Sequence, residues 1–374
     1  MTAPNSLASG FATLEGTRHF AARFRGVAAA GHFRERQGLL ISSIGAGTYL
    51  GEPDAATDRE YHQALAATVR GGVNFIDTAI NYRMQRSERS VGAALRDLFA
   101  AGFAREELVI CTKAGFLTPD GEMPADPNAY FFDEFISKGI FTVEDIAAGC
   151  HCLAPRYLED QLERSRRNLG LAAIDVFYLH NPETQLGEVP REAFNKRMIS
   201  AFETLESLVA AGKIRSYGLA TWNAFRNDPR APDYLSLEAI CGLARQVAGS
   251  EHHFRFVQLP FNIGMPEALV RANQIAGGKS VSMIQAAREL GVTLVASASL
   301  LQTHLAGKIS PAIHSALGFR NDLECALQFV RSAPGIATAL VGMKRLDHVH
   351  ANLKLVGIPP ASQEQFRRIF TAPH

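Results

Sequence analysis

Four residues of this sequence have the types and the spacing to share one piece of chemistry. Asp77 ends the apolar run Val73–Asp77, and Tyr82 follows five residues later. Lys113 ends a second apolar run, and His180 ends a third. An Asp at the end of a buried strand needs a cationic partner, and Lys113, on the next run, can supply it. A free phenol has a pKa of ~10, and a nearby ammonium favours its phenolate. The set therefore holds the ingredients of acid–base chemistry. Taken singly, each residue has an ordinary structural explanation: Asp77 as a strand-end cap, Tyr82 as a loop aromatic, Lys113 as a snorkelling base and His180 as a core histidine. Three of them in order at the ends of successive runs, with a tyrosine five residues past the first, point to a site.

The runs that position them recur along the chain. Extended segments are expected at 43–49, 73–78, 108–113, 174–180, 216–221, 254–259, 292–298 and 337–342, each rich in Val, Ile, Leu or Phe and bounded by Gly, Pro or polar residues. Such near-continuous apolar runs suit parallel strands buried on both faces. Helical periods lie between them. Thr57, Asp58, Arg59 and Glu60 read as a capping box opening a helix that stops at Gly71 and Gly72. Val91, Ala94, Leu95 and Leu98 form the stripe of the next helix, with Ser87 as its N-cap. Later stripes end at Gly170, before Gly212 and at Gly291, which is C-cap chemistry.

Strand and helix alternating eight times, with no linker, favour one (β/α)8 TIM barrel with long loops on its C-terminal face. An open doubly wound sheet is the rival; it would carry G-x-G-x-x-G after an early strand, and no such motif occurs. Residues 1–38 read as an N-terminal extension that could cap the barrel bottom, and 39–374 as the barrel. The connections 116–155, 222–253 and 299–321 are longer than a barrel requires and all emerge on the active-site face. Phe116, Tyr130, Phe131, Phe132, Phe135 and Phe141 crowd the first of them. They suit either an apolar substrate wall or the loop's own core. Asp175, near the N-terminal end of its strand, reads as structural.

From about Gly38 to Gly357 the sequence resembles the aldo-keto reductase superfamily, most specifically over Gly71–Leu95 and through Lys113 and His180. The resemblance implies catalytic Asp77, Tyr82, Lys113 and His180: Tyr82 as acid/base, Lys113 lowering its pKa, Asp77 holding Lys113 and His180 orienting the carbonyl. It implies hydride exchange between NADP and an aldehyde or ketone, or the reverse on an alcohol or lactol. Gln258 and the end of the fifth strand would meet the nicotinamide carboxamide. The family's frequent Ser-Asn there is Ala220-Thr221 in this chain, and its ring-stacking tyrosine corresponds to Ser297. The turn from Gly342 to Asn352 resembles the adenosine-phosphate turn. Gly342 would admit the phosphates, Lys344, Arg345 and His348 would pair a 2′-phosphate, and Asn352 would read adenine.

Bulk properties narrow the alternatives. A net charge of +1 with no block of like charges gives no footing for nucleic acid or an acidic membrane. Five cysteines in 374 residues read as reduced thiols of a cytoplasmic protein. The Cys150-His151-Cys152 triplet lacks the further ligands of a zinc site, so no metal is expected. No apolar run approaches a membrane span. Two rivals to the reductase stay open. One is a cofactor-binding, redox-sensing regulatory subunit with slow turnover; the other is a lyase or epimerase using Lys113 as a Schiff-base amine.

Overall fold

The computed structural model describes residues 7–301, 307 and 309–371. Eight strands close into one parallel barrel: β1 (Ile44–Gly47), β2 (Phe75–Asp77), β3 (Val109–Ala114), β4 (Ile174–His180), β5 (Ile214–Ala220), β6 (Phe254–Pro260), β7 (Thr293–Ser297) and β8 (Ile336–Gly342). They neighbour one another in chain order, and β8 pairs with β1. Between and after them run α1 (Ala55–Arg70), α2 (Arg86–Ala100), α3 (Pro155–Leu169), α4 (Arg191–Ala210), α5 (Leu237–Ala248), α6 (Met283–Glu289), α7 (Asp322–Ser332) and α8 (Leu346–Leu353). The eight expected strands are all present, and the fold is the (β/α)8 barrel.

Two helix starts differ from expectation. The α1 helix begins upstream of Thr57: Asp54 is the N-cap, and its Oδ1 accepts the Thr57 N–H at 2.7 Å. An Asp carboxylate is an N-cap acceptor of the same rank as Ser or Asn, and taking Thr57 as the cap leaves out the helical residues Ala55, Ala56 and Thr57 itself. Ser87 lies inside the first turn of α2 and donates instead to the Thr48 carbonyl at 2.8 Å, tying that helix to the loop after β1. The 222–253 connection contains α5 itself. An unanticipated hairpin, Gln274–Ala276 with Lys279–Val281, follows β6.

The N-terminal ends of the strands are closed by a hairpin, Phe33–Arg36 with Leu39–Ser42. Its buried Leu39 and Ile41, with Ala12, complete the apolar column that Phe75, Val109, Val176 and Phe256 form inside the barrel. Asp175 sits at this end. Its Oδ1 accepts the Ala12 N–H at 2.6 Å, and its Oδ2 accepts the Ile110 N–H and the Arg105 guanidinium, each at 2.7 Å. One carboxylate thus stitches the N-terminal segment to two strands, far along β4 from His180.

Candidate active site

Register brings the polar strand ends into one layer. Across the barrel wall Gly342 pairs with Gly47, Gly47 with Asp77, His180 with Ala220, and Ala220 with Gln258. These ends open on a cavity of about 870 Å³ lined by Asp77, Tyr82, His180, Thr221, Gln258, Ser297, Gly342, Lys344 and His348, among others.

Lys113 is wholly buried beneath this floor. Its Nζ donates to Asp77 Oδ2 at 2.6 Å and to the Thr78 carbonyl at 2.7 Å, and it stands 4.7 Å from the centre of the Tyr82 ring. Burial opposes the Lys113 charge, but Asp77 and Tyr82 together hold the ammonium above its ordinary range. Burial raises the Asp77 carboxyl, against the pull of Lys113 and Gln258. Its second oxygen, Oδ1, accepts from Gln258 Nε2 at 2.7 Å. Gln258 therefore belongs to the Asp77–Lys113 network as well as to the cavity wall, a double role its sequence position did not announce.

Tyr82 is set by an unusual turn. Arg83, Met84 and Gln85, none of them glycine, all have left-handed φ, of 50°, 53° and 70°. Each such residue costs about 1–2 kcal/mol. The turn is held by Arg83, which donates to the Glu52 carbonyl at 2.8 Å and pairs with Asp58, and by the Gly121 N–H on the Met84 carbonyl at 2.9 Å. Strain of this kind persists only where the surroundings over-determine it, and it gathers at functional sites.

The tyrosine ring meets Tyr49 edge-on at 5.1 Å and His180 at 5.7 Å. Burial pushes the Tyr82 phenol above its usual value, and Lys113 only partly offsets this. Lys113 pulls the phenol down, the direction expected of it, but burial outweighs that pull and Tyr82 keeps its proton at neutral pH. His180 is held well below its usual range by burial and then by Lys113, so it is neutral. Its Nδ1 lies 3.2 Å from the Asn81 side-chain amide, whose two ends can accept from that nitrogen or donate to it, and the latter arrangement leaves the ring proton on Nε2. Asn81, adjacent to Tyr82, was not singled out in the sequence.

Of the expected cofactor residues, Thr221, Gln258, Ser297, Gly342, Lys344 and His348 line the cavity, whereas Arg345 and Asn352 do not. The Thr221 hydroxyl is buried and has no hydrogen-bond partner among the described residues. A Cβ placed on Gly342 would meet only Leu50, at 3.7 Å, so the space before it belongs to the cavity. Lys344 approaches Glu60 at 3.5 Å, and Arg345 forms a two-bond pair with Asp347 at 3.1 and 2.8 Å.

The long connections divide their tasks. Phe116 lines the cavity and packs edge-on against His180 at 5.1 Å. Phe135 and Phe141, with Tyr157, Cys152, Tyr130 and Phe131, form a separate core of the 116–155 connection, and Phe132 faces solvent. His151 binds the His180 carbonyl at 2.7 Å and the Gln185 amide at 2.8 Å, and so fastens this loop to β4. All five cysteines are free, and among the described residues no cluster of His, Cys, Asp and Glu could hold a metal. No helix among them is long and apolar enough to cross a membrane. Part of the 299–321 connection, residues 302–306 and 308, lies outside the described residues.

Residues 43–228 match the profile of the Aldo/keto reductase family, and this segment carries all four of Asp77, Tyr82, Lys113 and His180. The chain belongs to the aldo-keto reductase superfamily. Among sequence relatives, D-threo-aldose 1-dehydrogenase of a Pseudomonas species is 30% identical over 173 residues, 45% of each chain. The match thus spans less than half of that relative's length. A putative voltage-gated potassium channel subunit beta of Schizosaccharomyces pombe is 24% identical over 342 residues, 87% of each chain. Among solved structures, the glycerol dehydrogenase of Gluconobacter oxydans superposes with a TM-score of 0.63 at 17% identity, covering 92% of this chain and 95% of that one. An aldo/keto reductase of Klebsiella pneumoniae, in complex with NADP and acetate, has a TM-score of 0.60 at 20% identity, covering 92% and 95%. These superpositions show the shared barrel.

Proposed function

We propose that this member of the superfamily is an NADP(H)-dependent reductase of aldehydes or ketones, in which Tyr82 hands a proton to the substrate oxygen. The observation that carries the reading is the stack Asp77–Lys113–Tyr82 beneath one cavity, with neutral His180 beside the phenol. The buried, unpartnered Thr221 hydroxyl and the open space before Gly342 fit a nicotinamide dinucleotide along the cavity wall. Thr221, Gln258 and Ser297 would face its carboxamide end; Gly342, Lys344 and His348 would face its phosphates. When bound, the nicotinamide supplies or accepts the hydride.

The protein's own share follows from charge and position. The neutral His180 ring offers a hydrogen bond to the carbonyl oxygen and orients it. Tyr82 holds the proton that this oxygen takes up. As the phenolate forms, the Lys113 ammonium, kept charged by Asp77, stabilises it. The reverse reaction on an alcohol uses the same groups in opposite order. The test is a fluorescence titration with NADPH followed by turnover of an aldehyde and ketone panel; NADPH consumption matched by alcohol formation is expected.

A second reading has its own support. A relative matched over 342 residues is named a putative voltage-gated potassium channel subunit beta. A cofactor-binding regulatory subunit would bind NADPH yet reduce no carbonyl of the panel. A Schiff-base role for Lys113 has less support, because its Nζ is committed to Asp77 and Thr78.

A further inference from the structure

The chain has a single tryptophan, Trp222, in the loop immediately after β5. It lines the cavity, yet it is 47% exposed. A large aromatic left half in water forfeits burial that most folds would use. Its backbone, by contrast, is gripped on both sides. Glu183, itself buried, accepts the Trp222 N–H at 2.7 Å and the Asn223 N–H at 3.3 Å through Oε1. Arg226, also buried, donates to the Trp222 carbonyl at 2.9 Å and is fixed in turn by Glu267 at 3.2 Å. The loop is thus rigid where the indole is open.

Glu183 follows His180 on the connection leaving β4, so the chain that delivers His180 also anchors Trp222. Tyr49, 59% exposed, and Phe116 line the same cavity.

We propose that Trp222 is the specificity-determining platform of the substrate, selecting carbonyl compounds that carry a flat aryl group, and that Glu183 is the positioning residue which holds it. This rests on the reductase reading and adds the substrate class. A rigid aromatic surface binds a second aromatic group at little cost in conformational entropy, and such ring pairs prefer offset-stacked or edge-on geometry. A small aliphatic aldehyde reaches Tyr82 and His180 without touching the indole.

The test uses the whole protein with NADPH, benzaldehyde and propanal. Trp222→Ala should raise the KM of benzaldehyde roughly tenfold while that of propanal stays within about twofold. Because all indole emission comes from Trp222, benzyl alcohol should quench it and 1-propanol should not. Glu183→Ala should red-shift that emission, lower its anisotropy and raise the benzaldehyde KM with kcat unchanged. Glu183→Gln, whose amide oxygen accepts the same N–H groups, should restore all three. Equal losses for both aldehydes in Trp222→Ala would overturn the proposal, as would a rise in the NADPH Kd that matches the rise in KM, which would mark the indole as a cofactor clamp. If wild-type protein binds NADPH but reduces neither aldehyde, the reductase reading fails. The quench then still decides: selective quenching by benzyl alcohol supports the platform, and equal or absent quenching refutes it. Should Glu183→Ala not fold, the Trp222→Ala kinetics and the Glu183→Gln emission carry the decision.

Discussion

Gln258 Nε2 and Lys113 Nζ bind the two different oxygens of the Asp77 carboxylate, at 2.7 and 2.6 Å. The carboxylate is therefore satisfied from β6 and β3 at once, across the barrel interior. A buried charge pair of this kind is costly to break from one side, because the remaining ion is left uncompensated.

Removing Lys113 alone should then destabilise the fold strongly. Lys113→Met is expected to lower the unfolding free energy by roughly 3–5 kcal/mol. Asp77→Asn combined with Lys113→Met should recover part of that loss, since the lone carboxylate is gone. Denaturant titrations of the two single variants and the double variant make the comparison. Losses that simply add would show that the two side chains do not act as a pair.

Tyr82→Phe should leave NADPH affinity within a few fold and lower carbonyl reduction by roughly 10²–10⁴-fold, the range of a positioned general acid. The pH profile has a direction as well. Burial holds the phenol above its usual value, and burial with Lys113 keeps His180 well below its own. Reduction should accordingly stay flat from pH 6 to 9 and decline only at higher pH, where the phenol ionises. A rise in rate below about pH 6.5 that vanishes in His180→Gln would make the histidine the proton donor instead.

Much of this was legible in the residues themselves. The barrel strands are short and nearly all apolar, so their period and boundaries survive in the sequence, and the polar residues at or next to the ends of three successive strands, Asp77, Lys113 and His180, announce the mouth. Asp175 was readable for the same reason, as a polar residue at the opposite end. What was hidden depends on the third dimension. Asp54 was passed over because a stronger-looking Thr57 stood nearby. The three left-handed residues after Tyr82 include no glycine to betray them. The pairing of Arg345 with Asp347, and of Gln258 with Asp77, is set by side-chain direction rather than by residue type. The sign of the Tyr82 shift depends on how far burial outweighs one cation, which spacing does not encode.

Glu183 gives a pH dependence of stability. Burial pushes its carboxyl up to about 7 from an ordinary 4.5, against the backbone N–H groups that it accepts. A raised carboxyl means that the folded state holds the proton more tightly than the unfolded chain. The associated stability is fully present below about pH 4.5 and is lost as pH rises through 7. Each pKa unit corresponds to about 1.4 kcal/mol, so the full effect is on the order of 3 kcal/mol. Glu183→Gln cannot titrate. Its stability relative to wild type should therefore improve between pH 5 and pH 8 by up to that amount. Unfolding curves at the two pH values measure it, and a constant difference would mean that the carboxylate is better solvated than its surroundings indicate.

Cofactor choice turns on the loop after β8, where both cations already have carboxylate neighbours. Arg345 is held in two bonds by Asp347, and Lys344 stands 3.5 Å from Glu60. A 2′-phosphate carries charge that NAD(H) lacks, so it gains from Arg345 only by displacing Asp347, and it is repelled by that carboxylate meanwhile. Exposed ion pairs contribute little and are screened by salt, so the exchange is feasible. Arg345→Ala should weaken NADPH binding about tenfold and leave NADH nearly unchanged, since an arginine–phosphate contact is a strong charge-assisted one. Asp347→Asn should act in the opposite sense, tightening NADPH by about three- to tenfold with no gain for NADH. Both effects should shrink as ionic strength rises. Dissociation constants for the two cofactors at two salt concentrations, in wild type and both variants, settle the matter. If Asp347→Asn weakens NADPH, the carboxylate is an orienting partner of Arg345 rather than its competitor. Equal wild-type affinities for NADPH and NADH, unmoved by either substitution, would leave the turn as a solvated surface.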